Sequence, residues 1–255
     1  MGKTISISNQ KGGVGKTTTA VNLSACLAAN GKKVLAVDID PQGNMTSGFG
    51  IERAELTETV YELIIGETTL KKCIWKDVYK NLDVIPANIN LSAAEIELIG
   101  VTDKEFIMRE ALEEIRKDYD YIIIDCPPSL NMLTVNALTA SDSVLIPIQC
   151  EYYALEGVSQ LLYTINLVRE RLNGNLRLEG VVFTMYDSRT NLSAQVVQNV
   201  KENFKNYIFK TIIPRNIRLA EAPSFGVPIN QYDRHSAGCE AYMHLAKEMI
   251  EKGGR

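Results

Sequence analysis

The chain has 255 residues, 45% hydrophobic and 23% charged, a makeup ordinary for a soluble globular protein of one large or two small α/β domains, and it contains no apolar run of about 18 residues that could cross a bilayer. Its five cysteines are scattered, with no C-x-x-C and only two histidines, which argues against a disulfide framework or structural zinc and suits a reducing cytoplasm. Lysine and arginine number 27 against 31 acidic residues, so the net charge of −4 excludes nucleic-acid binding through bulk charge and leaves only a local patch.

The first predicted element is a strand, Thr4–Ser8, so near the start that no signal peptide is expected. Lys11-Gly12-Gly13-Val14-Gly15-Lys16-Thr17-Thr18 follows it and opens a helix over Thr17–Asn30, stopped by Gly31. Glycines let backbone N–H groups crowd around phosphate oxygens, and the helix adds its positive N-terminal end. In such a loop Lys16 reaches the β- and γ-phosphates and the Thr17 hydroxyl ligates Mg²⁺. The string departs from G-x-x-x-x-G-K-[ST], since Gln10 stands where the first Gly belongs and a second lysine, Lys11, has been added. Two cations on one short loop repel unless anions neutralise both; the alternative reading of Lys11 is a solvated loop charge.

Further strands are predicted at Lys33–Asp38, Leu82–Ile85, Tyr121–Asp125, Ser143–Ile148, Leu178–Met185 and Tyr207–Ile212, several of them continuous Val/Ile/Leu runs as in strands covered on both faces. Helices are predicted at Asp103–Tyr119 and Ala154–Leu172. This alternation predicts a mostly parallel, doubly wound sheet flanked by helices, read as a single domain over residues 1–255, with ligands at the carboxyl ends of the strands. Asp125 ends its strand as a Walker B carboxylate does and is assigned to Mg²⁺, partly through water. Asp38 and Asp40 end the second strand, and a D-x-D pair there is open to reading as a direct metal site.

The loop resembles the deviant Walker A motif of the ParA/MinD group of ATPases. Val37-Asp38-Ile39-Asp40-Pro41-Gln42-Gly43-Asn44, Ile124-Asp125-Cys126-Pro127-Pro128-Ser129 and Gln149-Cys150-Glu151-Tyr152-Tyr153-Ala154-Leu155-Glu156-Gly157 resemble the chromosomal, Soj-type branch of the ParA family, as do 187–192 and 213–224. That resemblance spans nearly the whole chain. It implies a P-loop ATPase that forms an ATP-dependent sandwich dimer. Lys11 contacts the partner's nucleotide, Gly12 stands where a side chain would obstruct the interface, and Thr18 lies near the α-phosphate. It also implies that Asp40 polarises the attacking water, while Asp38 supports the Mg²⁺ shell and the loop. Pro214 and Asn216 match positions bordering the adenine, though Pro214 reads equally as a turn residue.

Arg189 and Arg218 match positions that bind double-stranded DNA non-specifically; the alternative is that they pair with Asp187 or Glu221. The segment 201–218 carries Lys201, Lys205, Lys210, Arg215 and Arg218 against Glu202 alone. By resemblance the protein is cytoplasmic and nucleoid-associated. A ParB-type partner stimulates hydrolysis and release, and the family connection extends to replication or sporulation control through an initiator protein. Two competing readings are a MinD-like membrane switch and a nitrogenase-iron-protein-like electron carrier. The first needs a basic amphipathic anchor, whereas the tail from Glu240 has mixed charges and reads as a helix docked on the core. The second needs symmetry-placed cluster cysteines, which Cys126-Pro127-Pro128 does not resemble.

Overall fold

The computed structural model describes residues 2–151, 156–204 and 207–253. One sheet of eight strands runs through it: β1 (Lys3–Ile7), β2 (Val34–Asp38), β3 (Trp75–Tyr79), β4 (Leu82–Ile85), β5 (Tyr121–Asp125), β6 (Ser143–Gln149), β7 (Arg177–Tyr186) and β8 (Ile208–Pro214). Their order is β3-β4-β2-β5-β1-β6-β7-β8, parallel throughout except for the β3–β4 pair. The chain builds outward from β1 toward β2 and later returns past it to β6. The crevice beside β1 is therefore the switch point where such sheets take ligands.

Period-two alternation explains the two covered faces. Val34 and Ala36 of β2, with Ile5 and Ile7 of β1, pack under helix α1 (Lys16–Ala29) and the C-terminal helix Ala237–Gly253. Leu35 and Val37, with Ile122 and Ile124 of β5, pack against Met108, Leu112, Leu133 and Ala137 from helices on the opposite face. A third cluster joins β6 and β7 to Val158, Leu161, Ile165 and Val168 of the helix Glu156–Arg171 and to Val196, Val197 and Val200 of the helix Asn191–Phe204. Helix α1 is buried almost all round because the sheet lies on one side and the C-terminal helix on the other. The C-terminal helix docks through Tyr242, Leu245, Ala246 and Met249, and the Tyr242 hydroxyl lies 3.1 Å from that of Thr19.

Two elements differ from the sequence reading. The edge strand β3, WKDVY, was not expected, because Lys76 and Asp77 interrupt its apolar pattern. It folds back on β4 through Asn81, whose φ is 64°, with an irregularity around Asp77 at φ 54°. The single helix expected over Asp103–Tyr119 is instead Ile107–Glu113 between two short 3₁₀ turns, Lys104–Phe106 and Arg116–Asp118. Asp103 enters in the left-handed region, and Arg116 is drawn off the helix path: its carbonyl accepts from Gly2 N–H and its guanidinium reaches Asp142. Of the sequence motifs, Tyr152, Tyr153, Ala154 and Leu155 lie outside the described residues, as does Lys205 of the basic segment.

The β7–β8 pairing carries a bulge in β8, where Val181 pairs with Ile208 but Phe183 pairs with Ile212. Glu248 of the C-terminal helix fills it, accepting from the backbone N–H groups of Lys210 and Thr211 and from the Thr211 hydroxyl, at 2.8–3.0 Å.

Candidate nucleotide and metal site

Three strand ends meet in one row. Ile7 of β1 and Asp38 of β2 are both register partners of Asp125 on β5, so the loop leaving β1 begins beside the two carboxylates. Gly13 and Gly15 have φ of 73° and 86°, left-handed values that cost a side-chain-bearing residue energy, and Gly15 caps α1. No side chain caps that helix end, so its N–H groups are left to face an anion. Gly12 has no positive φ, and a Cβ there would meet nothing within 4 Å. Nothing among the described residues requires Gly12 to lack a side chain.

The loop is braced from the β6–β7 side. The Thr184 hydroxyl donates to the Val14 carbonyl at 2.8 Å, and Asn9 Nδ2 donates to the Pro147 carbonyl at 2.7 Å. Asn9 Oδ1 in turn accepts from Lys11 N–H at 3.1 Å. Lys16 folds over the loop, its Nζ donating to the Lys11 carbonyl at 3.0 Å. Lys11 points outward, its Nζ 3.3 Å from Glu151 Oε2.

The carboxylates beside the loop differ in their partners. Asp38 accepts from the Thr46 N–H and hydroxyl and from Asp40 N–H, and the same Thr46 oxygen accepts from Ala87 N–H at 3.0 Å. Asp40 Oδ1 takes Gln42 N–H at 3.0 Å, a turn that leads the chain away at Pro41. Asp125 is fully buried, and neither of its oxygens has a well-formed hydrogen bond. Burial, then the neighbouring Asp38, pushes its carboxyl well above the ordinary value, against the Thr17 hydroxyl and Lys16. Burial likewise depresses Lys16, against the attraction of Asp125, Cys126 and Asp40. A buried unsatisfied polar group costs about 1–3 kcal/mol, more when charged. The orphaned oxygens of Asp125 beside the Thr17 hydroxyl thus fit a hydrated divalent cation whose other ligands come from phosphate and water. No group of three His, Cys, Asp or Glu side chains placed to hold a metal by themselves occurs among the described residues.

A cavity of about 560 Å³ runs from Gly15 and Thr18 at the loop to Met185, Ile213, Pro214 and Asn216. The fold thereby brings Pro214 and Asn216, some 200 residues distant in sequence, to the phosphate loop. Asn216 Oδ1 caps the short helix Ile217–Glu221, which leaves its amide nitrogen as the group able to serve a ligand. Met185 enters the cavity from a left-handed backbone, φ 51°. Arg189, itself 84% exposed in its side chain, lines the far edge and is held by Asp187 at 2.6 Å. Arg218 pairs with Glu221 at 2.9 Å and Asp233 at 3.5 Å. Both arginines thus make the surface pairs that the sequence offered as their alternative role. The sequence reading missed Asn9 and Thr184 as braces and Thr46 as the partner of Asp38, since each acts through a single hydroxyl or amide that is part of none of the quoted motifs.

A family model described as AAA domain matches residues 2–178. The chain is 58% identical to the sporulation initiation inhibitor protein Soj of Bacillus subtilis (strain 168), over 99% of this chain and all of that one. It is 52% identical to the chromosome partitioning protein ParA of Myxococcus xanthus (strain DK1622), over 99% of this chain and 89% of that one. Among solved structures, cobyrinic acid a,c-diamide synthase from Mycobacterium smegmatis, with bound ATP analogue and magnesium, superposes with a TM-score of 0.87 at 36% identity, covering 100% of this chain and 98% of that one. With the strand-end carboxylates, the two-lysine loop and these full-length likenesses together, the chain belongs to the ParA/Soj family of chromosome-partitioning ATPases.

Proposed function

We propose that residues 1–255 form one DNA-partitioning ATPase domain that hydrolyses ATP with Mg²⁺, dimerises around ATP, and binds DNA only as the dimer. The observation that carries this reading is the buried, unpartnered carboxylate of Asp125 beside the Lys16–Thr17 end of the phosphate loop. The bound ATP analogue and magnesium of the solved mycobacterial relative support the same ligand pair here.

In the proposed site, loop N–H groups and Lys16 hold the β- and γ-phosphates, and Thr17 and Asp125 hold the metal, Asp125 through water. Mg²⁺ would neutralise phosphate charge as the terminal phosphoryl group is transferred. Asp38, held by Thr46 and Asp40, supports the Mg²⁺ shell from the strand end. Asp40 positions and polarises the attacking water. Met185, Pro214 and Asn216 border the base. Lys11 turns from Glu151 to the partner's nucleotide, and the open space at Gly12 is where the two copies close on each other. Arg189 and Arg218 meet DNA phosphates without reading bases, and pairing two copies doubles the patch. We further assign to the cycle a ParB-type protein that stimulates hydrolysis, a link to a replication initiator, and a cytoplasmic, nucleoid-associated location. No helix among the described residues is long and apolar enough to cross a membrane.

The test is the mass in solution of Asp40→Ala with Mg-ATP, Mg-ADP or no nucleotide, with and without random-sequence duplex DNA. The reading expects a dimer with ATP alone, bound to DNA at low salt and released at high salt. A dimer that ignores DNA would demote Arg189 and Arg218 to surface ion pairs. A monomer under every condition would overturn the sandwich.

A further inference from the structure

Away from the nucleotide site, the exposed apolar surface is unevenly distributed. Nine large apolar side chains are exposed among the described residues, and four of them, Ile89, Ile96, Ile99 and Val101, fall within thirteen positions of one another. Ile96 and Ile99, three residues apart, are 72% and 74% exposed, and exposed apolar residues that cluster mark interaction surfaces where scattered ones do not. Beside them lies a cavity of about 390 Å³ between the short helices Val60–Ile64 and Ala94–Glu97. Its floor and walls include Leu63, Ile65, Leu98, Val101 and Ile107. The Tyr61 hydroxyl donates to Glu97 at 3.0 Å, tying the two helices together across the cavity, so its shape belongs to the fold.

The rim is acidic on balance. Residues 54–70 and 88–103 contain seven carboxylates and no lysine or arginine. Glu67 and Glu97 line the cavity itself, and Glu95 stands exposed beside Ile96. The neighbouring cations are fewer: Lys71 is exposed, Lys72 stands 3.8 Å from Glu58, and Lys104 donates to the Leu98 carbonyl. An apolar strip bordered by an excess of carboxylates is complementary to a helix with leucine-like side chains on one face and lysine or arginine flanking them. It disfavours a second copy of the same surface, which would set carboxylate against carboxylate.

We propose that the groove between Val60–Ile64 and Ala94–Glu97 is a docking site for a cationic amphipathic segment of another protein. The segment's apolar face covers Ile96, Ile99 and Val101, and its cations meet Glu67, Glu95 and Glu97. The groove is linked to Asp38 through the segment after β4: Ala87 N–H donates to the Thr46 hydroxyl that holds Asp38, and the Pro86 carbonyl accepts from Val60 N–H at the first groove helix. The proposal needs no nucleotide and stands whether or not the ATPase cycle above is correct.

The experiment uses the full chain without nucleotide and a fluorescein-labelled peptide of about eighteen residues, roughly five helical turns, with leucine on one face and lysine on the other. A second peptide keeps the leucines and replaces lysine with glutamate. Anisotropy should show saturable binding of the lysine peptide, weakened by salt, and none of the glutamate peptide. Ile96→Ser with Ile99→Ser, and separately Glu67→Gln with Glu95→Gln, should each weaken binding about tenfold or more. All four positions are exposed, and unchanged thermal melting would confirm that the variants fold. Equal binding to wild type and both variants, binding of both peptides alike, or no binding would each overturn the proposal. So would a wild-type chain that self-associates in sedimentation while the Ile96→Ser/Ile99→Ser variant stays monomeric and the peptide fails to compete, since the face would then belong to a second copy.

Discussion

Asp38 and Asp125 are register partners at the ends of adjacent parallel strands, yet Asp38 accepts three hydrogen bonds and Asp125 accepts no well-formed one. Equal burial and equal chemistry therefore serve opposite ends. Asp38 is anchored to its own chain, and Asp125 is kept available. Thr46→Val tests the anchoring, since it removes a hydroxyl that serves Asp38 and Ala87 together without changing the side-chain shape. The expected cost is about 1–3 kcal/mol, from the buried Ala87 N–H left unpaired, while Asp38 Oδ2 keeps the bond from Thr46 N–H. Thr46→Ser, which keeps the hydroxyl, should cost about 1 kcal/mol or less. Denaturant unfolding measures both, and equal effects for the two variants would place the loss in packing instead.

Lys16 and Lys11 should separate binding from assembly. Lys16→Ala removes the cation closest to the phosphates, and nucleotide affinity should fall about a hundredfold or more. Lys11→Ala should leave the affinity of a single chain within about threefold but abolish the ATP-dependent dimer. Titration with a fluorescent ATP analogue reads the first, and sedimentation in Mg-ATP reads the second. An intact dimer in Lys11→Ala would return that lysine to the role it has in the single chain, a partner for Glu151.

For the arginines, the distinguishing observable is salt. Each phosphate contact adds about 0.9 to the slope of log affinity against log salt. Arg189→Ala should therefore lower the slope for the ATP-bound dimer by about 1.8 if both copies make the contact. The same change frees Asp187, whose carboxyl is held far below its ordinary value by hydrogen bonds from the Arg189 side chain and backbone. NMR titration of Asp187 should show it rising toward the ordinary range, whether or not DNA is bound.

Glu248 gives a pH-dependent stability. Burial opposes its ionisation, but the bonds from Lys210, from Thr211 and its hydroxyl, and the nearby Lys252, outweigh that and hold its carboxyl below the ordinary 4.5. Its stabilisation is fully present above 4.5 and is lost as pH falls through the depressed folded-state value. Glu248→Gln should destabilise by about 1–2 kcal/mol at pH 7, with the gap to wild type narrowing below pH 4.5. A gap that stayed constant with pH would assign the loss to geometry at the bulge.

The sequence made legible whatever depends on contiguous pattern. The apolar runs that became β1, β2 and β5–β8 announce a parallel sheet, because strands covered on both faces need no polar alternation. Lys11–Thr18 announces the loop, because its glycines and lysines fall at fixed spacing. Asp125 announces itself by ending an apolar strand. Beyond these, legibility fails where a single polar atom acts across a great separation. Thr184 braces Val14 from 170 positions away, and a threonine inside a buried strand gives no local sign of this. The strand β3 was hidden by Lys76, which faces Asp83 and Tyr119 rather than a core. The long helix expected from Asp103 was cut short by the contacts of Arg116 with Gly2 and Asp142, which no periodicity encodes.

The braces on the phosphate loop bear on how affinity arises. A loop pinned at Val14 by Thr184 and at Asn9 by Pro147 holds its shape in the chain with no ligand present. Ordering a residue costs about 1–2 kcal/mol of conformational entropy, and here that cost was met during folding instead of on encounter. Triphosphate contacts then add to affinity almost undiminished. Lys11 differs: its backbone is bonded into the frame through Asn9 and Lys16, while its side chain is held, among the described residues, only by an exposed ion pair with Glu151.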